Sequence, residues 1–116
     1  MVKIEATIRP FKLDDVLEAL AEIGIEHFQL SEVKAYGRNL QKTELFRGSE
    51  YVLDFVPKLR LECIVPVGLQ EQALDLIQKA AKTGQPGDGT ITCLKVETLV
   101  RIDTGDLNEK ALDGNP

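Results

Sequence analysis

An α+β fold, with two helices laid on one face of an antiparallel sheet, is predicted by three observations. Apolar residues alternate in short runs near both ends of the chain, two stretches recur at helical spacing, and glycine or proline closes most runs. Val2 to Arg9 is the first strand, with Val2, Ile4, Ala6 and Ile8 on one face and Lys3, Glu5 and Thr7 on the other. Pro10 breaks it. Leu13, Val16, Leu17, Leu20 and Ala21 then mark a helix whose start carries Asp14, Asp15 and Glu18, where the helix dipole favours anions, and Gly24 ends it. Phe28 to Tyr36 reads as a second strand with both faces mixed, and Leu59 to Val65 as a third that stops at Pro66. The second helix carries Ala73, Leu74, Ile77, Ala80 and Ala81 on one stripe, with Lys79 and Lys82 near its C-terminus and Gly84 beyond. Ile91 to Val96 and Leu99 to Ile102 supply the closing strand or strands, and Thr104 to Pro116 is a polar tail expected to fray. The order β-α-β-β-α-β is the ferredoxin-like sandwich. Its second sheet face is left open, and an oligomer packing such faces together would cover the apolar residues expected there.

With 116 residues the chain is expected to form one domain with a real core. A formal charge of −5 argues against nucleic acid and anionic membranes as partners, since both require a basic face. No apolar run approaches the roughly 20 residues of a membrane span, and the alternating start is unlike a secretory signal, so a cytoplasmic protein without membrane insertion is expected. Cys63 and Cys93 are distant in sequence and lack a His cluster, which favours buried thiols over zinc or redox chemistry. His27, the single histidine, reads as a surface residue. Nothing pairs a nucleophile with a general base and no acidic cluster has metal-ligand spacing, so a binding protein is expected rather than an enzyme.

Two segments point to the binding chemistry. Gly84 to Thr90, G-Q-P-G-D-G-T, concentrates glycines whose backbone can turn tightly and present converging N–H groups to a phosphate. By itself the stretch is equally a connecting turn, since its spacing matches no established phosphate motif. Arg38 and Arg101 can supply guanidinium forks for the same anion. Gly37 to Phe55 is too long for a turn and lacks a sustained period in its first half, as functional loops do.

The runs V-K-I-E-A-T-I-R-P-F-K-L-D-D-V, E-V-K-A-Y-G-R, T-E-L-F-R-G-S-E-Y-V-L-D-F-V-P-K, T-G-Q-P-G-D-G-T and V-R-I-D-T-G resemble the PII signal-transduction proteins in continuous register up to Gly105. The resemblance implies a homotrimer of ferredoxin-like subunits, with ATP or ADP, or AMP as a third candidate, held between neighbours. It divides the chain into a domain at 1–105, with a T-loop at about 37–55, and a tail at 106–116. That loop would dock on a regulated partner such as a membrane transporter or an enzyme of nitrogen metabolism. Carried over by position, the nucleotide cleft comprises Thr7, Gly37, Arg38, Glu62, Ile64, Gly87, Asp88, Gly89, Thr90 and Arg101. Lys58 and Asn39 fall where the family holds 2-oxoglutarate and Mg²⁺. Ser49 and Tyr51 match positions that members phosphorylate or uridylylate, and both are also contact residues in the bland reading of the loop.

Departures from the family pattern qualify the ligand set. Thr90 replaces the usual phosphate-binding Lys and Asp103 the usual Arg, removing about three units of positive charge by formal count. Asn39 replaces a longer Gln, Gln29 a Thr near the adenine, and Thr7 an apolar residue, usually Ile. Weaker discrimination for ATP and a weak or absent response to Mg²⁺ and 2-oxoglutarate follow. The alternative is a divergent sensor of another nucleotide or small anion.

Overall fold

The computed structural model describes residues 1–37, 42–46, 49–53 and 55–112, and the side chains of 1–37 and 55–112. Period-two alternation builds β1 (Val2–Ile8), whose even positions are buried and odd positions partly exposed. Pro10 opens a 3-10 turn over Pro10–Lys12 that leads into α1 (Leu13–Ala21), with Asp14 and Asp15 in the first turn. The helix stops in a Schellman motif. Gly24 takes φ 81°, its N–H bonds to the Ala21 carbonyl, and Ile25 N–H bonds to Leu20 O at 3.0 Å while the Ile25 side chain is buried.

Strands β2 (Gln29–Tyr36), β3 (Lys42–Phe46), β4 (Ser49–Leu53) and β5 (Phe55–Val65) follow, then α2 (Gln70–Ala81), β6 (Gly89–Lys95) and the single turn α3 (Glu109–Leu112). The main sheet has the order β2-β5-β1-β6 with every pair antiparallel, while β3 and β4 pair as a separate hairpin within the long loop. This is the expected ferredoxin-like α+β order with a hairpin inserted. The third strand starts four residues earlier than the alternation suggests and runs through Pro57. Pro57 pairs with Lys34 of β2 beyond Leu59, where β1 has ended, so the residue that cannot donate lies where the strand has a free side.

Both helices cover one sheet face, and Ile4, Ile8, Val16, Leu20, Leu61 and Ile77 are fully buried between the layers. Each such side chain contributes roughly 1.5–3 kcal/mol of transfer free energy. Cys63 is buried there, and loss of solvation pushes its thiol up to about 11. Cys63 and Cys93 flank Ile4 from opposite sides, so two strand spacings, about 10 Å, separate their backbones and exclude a disulfide.

The open face carries the expected apolar residues only towards its two ends. Its centre is polar: Lys3 Nζ lies 3.2 Å from both Glu5 Oε1 and Glu62 Oε2, with Thr7, Arg60, Thr90 and Thr92 on the same side by register. Val33, Ala35 and Val56 lie at one end of this face and Ile64 and Leu94 at the other by register. Leu99–Ile102 is not a strand either. Only Val100 makes a bridge, to Leu107, and the backbone hydrogen bonds of Leu99 and Arg101 close locally, onto residues 105–108. Residues 106–112, expected within a fraying tail, are held down, with Ala111 6% exposed.

Candidate functional site

The glycine segment leaves α2 and crosses to β6 in a tight turn. At Gly89, φ is 117°, and a Cβ would overlap the Thr7 carbonyl oxygen outright and lie 2.9 Å from its carbon. Only glycine permits this approach of the loop to β1. The amides at the start of the segment, those of Thr83 and Gly84, are engaged by the chain itself. The Asp88 carboxylate accepts from Thr83 N–H at 2.8 Å, Gly84 N–H at 3.0 Å and the Thr83 hydroxyl, and from Arg9 Nε at 2.8 Å. Arg9 Nη2 also donates to Pro86 O at 2.9 Å. The Thr83 hydroxyl, the Arg9 guanidinium and the two amides hold the Asp88 carboxyl well below the usual carboxylate range. Below the loop, Lys58 is 5% exposed and its ammonium donates to the Gly87 carbonyl.

Because the folded carboxyl titrates below its unfolded value of about 3.9, its contribution is present above that pH and lost as pH falls towards the folded value. Amide protection at Thr83 and Gly84, read by hydrogen exchange, is therefore expected to be constant above about pH 4 and to decline below it. Asp88→Ala should show the low-protection state already at neutral pH. Equal protection in that variant would mean that the glycine turn holds its shape without the carboxylate.

Two clefts border the predicted site residues. One, of about 510 Å³, is lined by Thr7, Asp88, Gly89 and Thr90 together with the end of α2 at Gln78 and Lys82. The other, of about 630 Å³, is lined by Gln29, Glu62, Ile64, Arg101 and Asp103 together with Lys3 and His27. Neither is lined by both sets. In the second, Glu62 is drawn into the pair with Lys3, and the two carboxylates, Glu62 foremost, raise the Lys3 ammonium above its ordinary range. Arg101 Nη2 donates to Ala111 O at 3.2 Å, and its Nη1 lies 4.0 Å from Asp103 Oδ1, so the residue standing for the family's arginine faces the guanidinium with the opposite sign. His27 is exposed at this rim. Gly37 is exposed at the end of β2, beside a contact in which the Tyr36 and Phe55 rings sit 5.9 Å apart and Lys34 Nζ lies 4.9 Å from the Phe55 centroid. Arg38 and Asn39 lie outside the described residues, as do the side chains of Ser49 and Tyr51.

Arg9, Thr83 and Lys3 are participants that sequence reasoning missed. The available signal was weak: an aspartate set between two glycines, which on a surface turn is as readily solvated as paired.

A family model described as Nitrogen regulatory protein P-II matches residues 1–106. The chain belongs to the P-II family. The P-II protein of Haemophilus influenzae is 50% identical over 112 residues, 97% of this chain and 100% of that relative. Nitrogen regulatory protein P-II 1 of Escherichia coli is 47% identical over the same shares. Among solved structures, Arabidopsis thaliana PII bound to citrate superposes with a TM-score of 0.78 at 33% identity, covering 95% of this chain and 90% of that one. The match agrees with a P-II-type nitrogen regulatory protein and with the ferredoxin-like sheet. Among the described residues no His, Cys, Asp and Glu group is arranged to hold a metal, and no helix is long and apolar enough to cross a membrane.

Proposed function

We propose that this P-II protein binds an adenine nucleotide between subunits of a homotrimer and uses the loop at 37–55 to control a partner, a transporter or an enzyme of nitrogen metabolism. The observation that carries this reading is the division of the predicted site: Glu62, Ile64 and Arg101 border one cleft while Thr7, Gly89 and Thr90 border another. A ligand using both sets calls for a second copy of the chain. Glu62 offers a carboxylate to a purine amino group, Ile64 an apolar face, and Arg101 a guanidinium to a phosphate. Gly87 and Gly89 would offer backbone from the neighbouring subunit, along with Arg38 at the loop base. The Arabidopsis relative bound to citrate accords with an anion-accepting family site.

Asp88 then orders the loop rather than touching ligand, since its oxygens already accept from Arg9, Thr83 and Gly84. Lys58, tied to the Gly87 carbonyl, would have to exchange that bond to meet 2-oxoglutarate. The reading of a sensor with weakened ATP and 2-oxoglutarate response is favoured by Asp103 facing Arg101. Ser49 and Tyr51 remain the candidate modification positions, where added phosphate charge would oppose docking.

Arg101→Ala is expected to weaken ADP binding by roughly tenfold or more, the loss of one charge-assisted hydrogen bond, while light scattering still gives a trimeric mass. Calorimetry showing unchanged affinity would confine Arg101 to a structural role. A monomeric mass for the unaltered chain at micromolar concentration would end the intersubunit reading.

A further inference from the structure

Two lysines stand at the end of α2, and they differ in what they meet. Lys79 has Asp75 one turn before it and pairs with that carboxylate at 2.9 Å. Lys82, the C-cap, has Gln78 in the corresponding place, an amide where Lys79 has a counter-ion, and it enters no ion pair among the described residues. Lys82 and Gln78 line the cleft between α2 and β6, and Lys79 does not.

Asp88 is the other charged residue of that cleft, and its carboxylate is already committed to Arg9 Nε at 2.8 Å and to the amides of Thr83 and Gly84. The Arg9 guanidinium balances its charge. What the cleft has left for a ligand is therefore the Lys82 ammonium. On the opposite wall, Thr7 and Thr90 face each other directly across the ladder between β1 and β6, which brings their Cβ atoms to about 4.5–5.5 Å and sets two hydroxyls side by side. An ammonium opposite a pair of hydroxyl donors suits an anion.

We propose that Lys82 is the cation that holds a phosphate group of the bound nucleotide in this cleft, with the Thr7 and Thr90 hydroxyls as its neutral partners. The inference rests on the nucleotide reading above and adds a residue from α2 to a site otherwise drawn from strands and loops. A point charge on a flexible four-carbon stem can follow a phosphate within a cleft of about 510 Å³. A lysine here also complements the partial negative charge at the end of the helix. Lys79 shares that second role, so comparing the two lysines separates it from the first.

The test is calorimetric titration of the full chain with ADP. Lys82→Gln is expected to weaken ADP binding by roughly three- to tenfold, the loss of one exposed charge-assisted contact, and to flatten its dependence on salt. Lys82→Arg keeps the charge and should restore both, while Lys79→Gln should change neither. Unchanged affinity in Lys82→Gln, an equal loss in Lys79→Gln, or no rescue by Lys82→Arg overturns the assignment. On the unaltered chain, saturating ADP should slow acetylation of the Lys82 amine more than that of Lys79, read by peptide mass spectrometry. Equal rates at Lys82 with and without ADP overturn the assignment as well, and this measurement decides if a variant does not fold. ADP binding without these effects removes the role of Lys82 alone; no ADP binding by the unaltered chain removes the nucleotide reading and that role with it.

Discussion

Thr90→Lys combined with Asp103→Arg is expected to raise ATP affinity by roughly tenfold or more while changing AMP affinity little, because the added charge addresses the terminal phosphates. Each new charge-assisted hydrogen bond is worth roughly 1.5–3 kcal/mol when formed in a part-buried site. The Asp103 replacement also removes an acidic neighbour 4.0 Å from the Arg101 guanidinium. That neighbour is 73% exposed, so its own contribution is screened and the smaller share of the gain is assigned to it. The gain should be larger at low ionic strength than at high. Calorimetry with ATP, ADP and AMP at two salt concentrations measures it. If the unaltered chain already prefers ATP strongly, and 2-oxoglutarate with Mg²⁺ tightens that binding, other residues have taken over the positions that Thr90 and Asp103 vacate.

Gly89→Ala carries the largest expected loss of stability. The added methyl would occupy the space of the Thr7 carbonyl oxygen, and φ of 117° lies where a side chain is strained even in open space. The neighbour is backbone in the central strand β1, paired on both sides, and cannot swing away. Relief requires the start of β6 to peel from β1. A penalty of about 3 kcal/mol or more is expected, in the class of backbone-strain effects. Denaturant unfolding measures it, and a variant within about 0.5 kcal/mol, the size of ordinary surface effects, would show that β6 can shift at little cost.

The elements that read cleanly in the sequence are those with local causes. Alternation in Val2–Ile8 and the stripe of Ala73, Leu74, Ile77, Ala80 and Ala81 each report burial against the opposite layer: the inward strand residues and Ala73, Ile77 and Ala81 are buried, while Leu74 and Ala80 flank the stripe half-buried against the core. The same period places Glu62 and Ile64 together on the open face. What could not be read depends on contacts across the chain. Arg9 meets Asp88 across 79 residues, and neither has a local pattern that names the other. Lys58 falls on the outward phase of β5, where a lysine reads as solvated; it is buried because the glycine segment lies over it. Leu99–Ile102 has strand-forming composition, yet Leu99 satisfies its backbone with Asn108, nine residues on, and not with a strand of the sheet.

The ladder between β2 and β5 outruns the rest of the sheet. Val33–Lys58, Lys34–Pro57, Ala35–Val56 and Tyr36–Phe55 pair beyond Leu59, the last β5 residue matched by β1. Four pairs at strand rise make a ribbon about 13 Å long that projects as a cantilever. Its root is Lys58, the residue bonded to the Gly87 carbonyl, and its far end is braced by the Tyr36 and Phe55 rings. Two-stranded ribbons twist more readily than wide sheets. A tilt of about 10° at the root moves the far end by about 2 Å, given that length. Any movement of Gly87 that tilts the ribbon at Lys58 by that angle would therefore reach Tyr36 and Phe55 as a displacement of about 2 Å.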